Sequence, residues 1–285
     1  MKLGVITDCF KRGMEESLRL ANELGFDGIQ LYATTGEFSP HGMSAEKRRL
    51  FREQLAAMGL EISALCGDTG GHGFQCAEDN PERVALTKQI VDLAADLNTA
   101  VVTTHIGVIP ADRKHPRYRV MADALRECGR YAASNGVTLA IETGPETAAV
   151  LWQFLQDMDG GVGVNLDPAN FVMVTGQDPV EAVSLLAPYI VHTHIKDGVM
   201  LKRTDPEIIY DHFASGGIEA LNVADYFLET PLGQGAVDFT AYLAALCAHG
   251  YDGYLTIERE TGEDPLADIT LARDIVRRLL SEMAR

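Results

Sequence analysis

The octapeptide IVHTHIKD, Ile190 to Asp197, begins as an apolar strand and ends in charge. Side chains alternate along a strand, so His192 and His194 share one face. Three other apolar stretches finish in the same way: LAIET at Glu142, GVNLDPAN at Asp167 and LTIERE at Glu258. If the four ends meet in space they form one oxygen-rich, histidine-containing metal site. The remainder of the chain then reads as the scaffold that makes them meet.

Outward from these strands the pattern repeats. LGFDGIQL, MGLEIS, NGVTLA and HGYDGYLTI each place a glycine at the end of an amphipathic helix, just before the next strand. Strands are expected at Leu3–Thr7, Gly28–Tyr32, EISAL, AVVTTHIG, VTLAIET, GVGVNLD, IVHTHIKD and GYLTIERE. Between them the third helix opens at Asn80-Pro81 and repeats Val84, Ile90, Val91, Ala94 and Leu97 at helical spacing. Eight strand–helix alternations with near-continuous apolar strands predict an α/β protein, a parallel (β/α)8 TIM barrel forming a single domain over residues 1–285. The structural alternative is an open doubly wound sheet. It is weakened because VITDCF stands after the first strand where a GxGxxG loop belongs.

The spacing breaks once. Glu142 and Asp167 lie 25 residues apart, Asp167 and His194 lie 27 apart, but 64 separate His194 from Glu258. About 35 extra residues, 198–237, therefore follow the seventh strand. They are expected to form a lid or rim loop over the site, with an oligomer-interface arm as the other reading.

Composition restricts the partners. A formal net charge of −17 argues against nucleic acid, which needs clustered Lys and Arg. No apolar run approaches the roughly 20 residues of a membrane-spanning helix. The five cysteines are odd in number, scattered and free of CxxC, which suits reduced thiols in a cytoplasmic protein. MKLGVITDCF reads as a first strand rather than a signal peptide.

At the four strand ends the pleat makes a testable arrangement. If Glu142, Asp167, His194 and Glu258 point inward, then Ala140, Asn165, His192 and Thr256 point inward one layer below, and Leu166, Thr193 and Ile257 face the helices. Asn165 and His192 then support the ligands from beneath. Three carboxylates and an imidazole suit one divalent ion, Mn²⁺, Mg²⁺ or Co²⁺, with zinc as a further possibility. Taken singly, the residues have plainer readings: Glu142 as a helix cap, Asp167 before Pro168 as the start of a turn, His192 as a hydrogen-bonded core histidine.

Together, IET, NLDPAN, VHTHIKD, PLGQGAVDF and LTIERE resemble the xylose-isomerase-like TIM barrels, a superfamily of sugar (phosphate) isomerases and epimerases. The ketose 3-epimerases, inosose dehydratase and endonucleases of the endonuclease IV type belong to it. The resemblance implies that Glu142, Asp167, His194 and Glu258 are the metal ligands, and that Glu142 and Glu258 also act as the catalytic acid/base pair. It implies a small sugar substrate and is compatible with a homo-oligomer, a dimer or tetramer. Two positions depart from the epimerase pattern: Asn170 stands for a histidine and Met200 for an arginine. For a three-zinc nuclease His105 fits one extra histidine position, but Cys66-Gly67 and Asn170 stand at others and His192 stands where that branch wants aspartate.

These residues lead to a metal-dependent isomerase or epimerase that moves a proton through a metal-stabilised enediolate. The same ligand set serves a dehydratase or lyase acting on a keto-sugar or inosose, and a non-catalytic sugar-binding barrel keeps the scaffold without the chemistry. Substrate-binding candidates are His105, Asn170, Lys196, Asp197 and Glu260; Lys196 and Asp197 have a rim salt bridge as their other reading. His72, in a glycine-rich loop, is a further candidate.

Overall fold

The computed structural model describes residues 1–217 and 221–283. Eight parallel strands close into a barrel: β1 (Lys2–Ile6), β2 (Gly28–Tyr32), β3 (Glu61–Cys66), β4 (Val101–Thr104), β5 (Thr138–Glu142), β6 (Val162–Leu166), β7 (Ile190–Ile195) and β10 (Tyr254–Ile257). β1 pairs with both β2 and β10, which closes the ring. The helices α1 (Met14–Glu23), α2 (Ala45–Met58), α3 (Asn80–Asp96), α4 (Pro116–Ser134) and α5 (Ala148–Leu155) follow the first five strands in order, and the single turn α6 (Pro168–Asn170) and α7 (Pro179–Leu186) both follow β6. The chain is thus the (β/α)8 TIM barrel that its alternation predicts.

The local signals explain the boundaries. Ser44 caps α2, its hydroxyl accepting from Lys47 N at 3.3 Å. Gly59 then ends that helix at φ +70°, in the left-handed region that favours glycine. The helical repeat in α3 is the buried stripe: Val84, Ile90, Val91 and Ala94 are all buried, as is Leu97 just beyond. Two expected strands are shorter than their apolar runs. β4 stops at Thr104 and β10 at Ile257, so His105 and Glu258 sit just past the last paired residues, where side chains can face the rim cavity.

The stagger of the barrel changes the expected layers. Along each strand the inward positions alternate as anticipated. Across strands, however, Asn165 is the register partner of Glu142 and of His192, and Thr256 is that of His194. Strand tilt shifts neighbouring layers against each other. Asn165 therefore lies beside the ligands rather than a full layer beneath them.

The 198–237 segment includes positions 218–220, which lie outside the described residues. Around them it is organised. β8 (Asp197–Met200) runs antiparallel to β9 (Phe227–Thr230) in a separate two-stranded sheet, and α8 (Pro206–Ala214) lies between them in sequence. Asp197 fixes this segment to the barrel. One of its oxygens accepts from Gly198 N and Val237 N, and the other from Gly233 N and Gly235 N, at 2.8–3.2 Å. A Cβ on Gly235 would fall 2.1 Å from the Asp197 carboxylate, so the close approach requires glycine there. Buried Arg259 adds a second tie, donating to Glu229 of β9 and to Asp268 of the last helix, α10 (Pro265–Met283), which follows α9 (Phe239–Ala248). No helix among the described residues is long and apolar enough to cross a membrane. All five cysteines are free thiols.

Candidate metal centre

The four strand ends converge. One ligand atom from each of Glu142, Asp167, His194 and Glu258 lies within 4.8 Å of the others, and all four residues are buried. His194 Nδ1 is 2.9 Å from Glu258 Oε2, 3.3 Å from Glu142 Oε1 and 3.9 Å from Asp167 Oδ2. Its other nitrogen is engaged: Nε2 faces Gln30 Oε1 at 3.1 Å, while the Gln30 amide donates to Thr103 Oγ1. Gln30 thus presents its oxygen to the ring and turns Nδ1 toward the carboxylates, as outer partners of metal-binding histidines do.

Asp167 divides its carboxylate between two tasks. Oδ1 accepts from Ala169 N and Asn170 N and caps the α6 turn, while Oδ2 is left toward the cluster. The turn-starting reading and the ligand reading are therefore both satisfied, by different oxygens. Asp167 Oδ2 and Glu258 Oε2 are buried without a hydrogen bond; the imidazole near Glu258 is close but not aligned to donate to it. Buried anionic oxygens lacking donors are costly, and a cation satisfies them. Three carboxylates and one imidazole fit a hard or borderline divalent ion. On both counts the residues present fit the metal.

Packing around the cluster fixes orientations. His192 Nδ1 meets Asn165 Oδ1 at 2.8 Å and its Nε2 meets Thr256 Oγ1 at 2.9 Å. Asn165 Nδ2 donates to Glu142 Oε2 at 3.3 Å. Burial first, then the neighbouring His194, holds His192 well below the ordinary imidazole value, so it is neutral. The opposite holds for His194: burial opposes its charge, but Glu258 and Glu142 more than offset that and hold it well above the ordinary value. Burial first, then the neighbouring Glu258 and Glu142, hold Asp167 well above the usual carboxylate range, only partly countered by Lys196 and His194. Glu258 is also buried, but Lys196 and His194 hold it below the usual carboxylate range.

The other candidates separate into two groups. Lys196 is buried, with Nζ 2.5 Å from Glu260 Oε2, 3.4 Å from Glu258 Oε2 and 3.9 Å from Asp167 Oδ2. His105 lies with Nδ1 2.9 Å from Asp68 Oδ2 and Nε2 3.9 Å from Glu142 Oε1. Lys196, His105, Asn170 and Glu260 all line one cavity of about 560 Å³ together with Glu142, His194 and Glu258. Asp197 lies elsewhere, spent on the four backbone N–H groups described above. His72 pairs with Asp211 of α8 at the surface. A second cavity of about 420 Å³ opens at the other end of the barrel, near Ala100, Thr138 and Gly253, away from the carboxylate cluster.

Three participants escaped the sequence reading: Gln30, Asp68 and the apolar side chains that 198–237 brings to the cavity. Gln30 left a signal, a polar residue at an inward position of an otherwise apolar strand, GIQLY. Asp68 left none beyond its place in a glycine-rich loop.

The xylose isomerase-like TIM barrel family model matches residues 18–280, and the chain belongs to this family. L-ribulose-5-phosphate 3-epimerase UlaE of Shigella boydii is 24% identical over 281 residues, covering 92% of this chain and 88% of the relative. Among solved structures, a xylose isomerase domain protein from Planctomyces limnophilus superposes with a TM-score of 0.81 at 27% identity, covering 99% of this chain and 98% of the other. An L-ribulose 3-epimerase structure shares the fold, with a TM-score of 0.73 at 21% identity over 99% and 95% of the two chains.

Proposed function

We propose that this chain is a divalent-metal-dependent epimerase or isomerase of a small sugar, with Glu142 and Glu258 as its acid/base pair. One observation carries the reading. Of the three clustered carboxylates, Glu142 and Glu258 line the cavity, whereas Asp167 is fully buried behind them and half committed to backbone. Two carboxylates are thus open to a substrate at a site built to hold a cation. The near-full-length likeness to L-ribulose-5-phosphate 3-epimerase supports the same reaction class.

Glu142, Asp167, His194 and Glu258 would hold the ion; Mn²⁺, Mg²⁺ or Co²⁺ suits them best, and zinc is compatible. When bound, it supplies electrophilic polarisation of a carbonyl and the adjacent hydroxyl, which acidifies the hydrogen on the hydroxyl-bearing carbon. One of the two glutamates removes that proton and the other returns one to the opposite side, which inverts the centre. Return to the neighbouring carbon instead interconverts aldose and ketose. Lys196, His105 and Asn170 orient the substrate oxygens from the cavity wall, and Glu260 holds Lys196 in place.

Solvent exchange tests this directly. In D₂O the Mn²⁺-loaded protein is expected to incorporate deuterium at one carbon of a ketose, and Glu142→Gln to bind the ketose without incorporation. Exchange in Glu142→Gln at the wild-type rate removes Glu142 from the acid/base role. Binding with no exchange in the wild type replaces the enzyme with a sugar-binding protein. Formation of an enone in place of an epimer moves the reaction to dehydration.

A further inference from the structure

We infer that the substrate is a non-phosphorylated ketose whose end remote from the carboxylate cluster is deoxygenated, carrying a methyl group where a hydroxymethyl or phosphate would stand. The inference deepens the proposed function and rests on it for the position of the reacting end.

The cavity has two unlike walls. The strand-end side carries the charged groups Glu142, His194, Lys196, Glu258 and His105, with Asp68 from the loop after β3 and with Ile6, Tyr32 and Cys66 among them. A second, largely apolar set of lining side chains comes from the segment after β7: Ile209, Phe213 and the ring of Tyr210 on α8, and Phe227 and Leu228 of β9. Met173, on the turn after α6, joins them. The rings of Phe213 and Phe227 lie 6.4 Å apart. A sugar held by its oxygens at the polar wall therefore extends its other end toward side chains that offer it few hydrogen bonds. A hydroxyl placed there loses water without replacement, and a methyl group does not.

The distribution of charge excludes a phosphate at that end. Among the described lining residues, only Lys196, His105 and His194 can carry positive charge, and no arginine is present. Each is already engaged: Lys196 by Glu260 and Glu258, His105 by Asp68, and His194 by the ligand cluster. Positions 218–220, Ile-Glu-Ala in sequence, bring no cation either. Glu229 and Glu260 also line the cavity, and Arg259, the partner of Glu229, does not. A phosphate monoester, with a charge of roughly −1.5 to −2 at neutral pH, would find carboxylates and no unengaged cation among the described lining residues. In this respect the chain parts from a relative named for a ribulose 5-phosphate.

The test is calorimetric titration of the Mn²⁺-loaded protein with matched sets: D-tagatose, 6-deoxy-D-tagatose and D-tagatose 6-phosphate, and the corresponding D-fructose set. Deuterium exchange is followed on the same samples. The 6-deoxy ketose is expected to bind roughly 10-fold tighter than its parent, and the phosphate at least ~100-fold weaker. A double variant, Phe213→Ser with Leu228→Ser, changes side chains that are 60% and 50% exposed, so fold and metal content should persist. In it the deoxy preference should fall to within about 2-fold. Equal or tighter binding of the phosphate, or no deoxy preference in the wild type, overturns the inference. So does a preference that survives the double variant. If the affinity order holds but no ketose exchanges deuterium, the apolar-wall inference stands and the enzyme reading falls. If no ketose binds, both fall.

Discussion

The two walls of the cavity are built from different parts of the fold. The polar wall consists of strand ends, its ligands buried and each held by a defined hydrogen bond or ion pair. The apolar wall is carried by α8 and β9, whose outer side chains stand partly in solvent and whose ties to the barrel include Asp197, Arg259 and the His72–Asp211 pair. Reacting groups need fixed geometry, which barrel strands provide; the shape of a substrate's far end needs only a surface that can be exchanged. On the proposed reading, the comparison teaches that chemistry and selectivity are carried by separable elements.

Removing a carboxylate from the polar wall should have the largest effect. Glu142→Gln and Glu258→Gln are each expected to lower deuterium exchange by roughly 10²–10⁴-fold, measured by NMR, with the thermal transition shifted little by comparison. If either variant exchanges normally, the polar wall is not where the proton moves. Next comes the tie between the walls. Asp197→Ala leaves buried backbone donors unpaired and should cost about 3 kcal/mol in urea unfolding, with new proteolytic cleavage inside 198–237. Unchanged stability would mean that the segment is held in some other way.

Metal removal gives a slightly smaller effect. Mn²⁺ at 100 times its dissociation constant should stabilise the protein by about 2.7 kcal/mol, seen as a rise in melting temperature that Asp167→Asn abolishes. A rise that persists in Asp167→Asn would place the ion elsewhere. Smallest of all, Phe213→Ser should alter stability by no more than about 0.5 kcal/mol; a large loss would show that the apolar wall is part of the core after all.

The sequence made the polar wall legible and left the apolar one obscure, for a physical reason. Strand periodicity fixes which side chains point inward, and position at a strand end fixes which rim they reach, so Glu142, Asp167, His194 and Glu258 can be found from alternation alone. Asn165 was legible as an inward residue, but its place beside Glu142 depends on barrel stagger, which no single strand encodes. Gln30 and Asp68 are joined to His194 and His105 across 164 and 37 positions of chain. Ile209, Phe213 and Phe227 belong to a segment whose path over the rim is set by Asp197, a residue whose burial against PLGQGAV was invisible before the fold was known.

That attachment has a consequence for how such a protein changes over generations. Asp197 grips the 233–237 loop entirely through main-chain N–H groups, so it reads the loop's path and not its side chains. Gly235 is constrained by its contact with that carboxylate, while Gln234 and Ala236 take no part in the grip. Between the anchored ends, exposed positions such as Leu201 and Ile208 are therefore open to drift, whereas Glu229 is held by Arg259 and the four strand ends stay as they are.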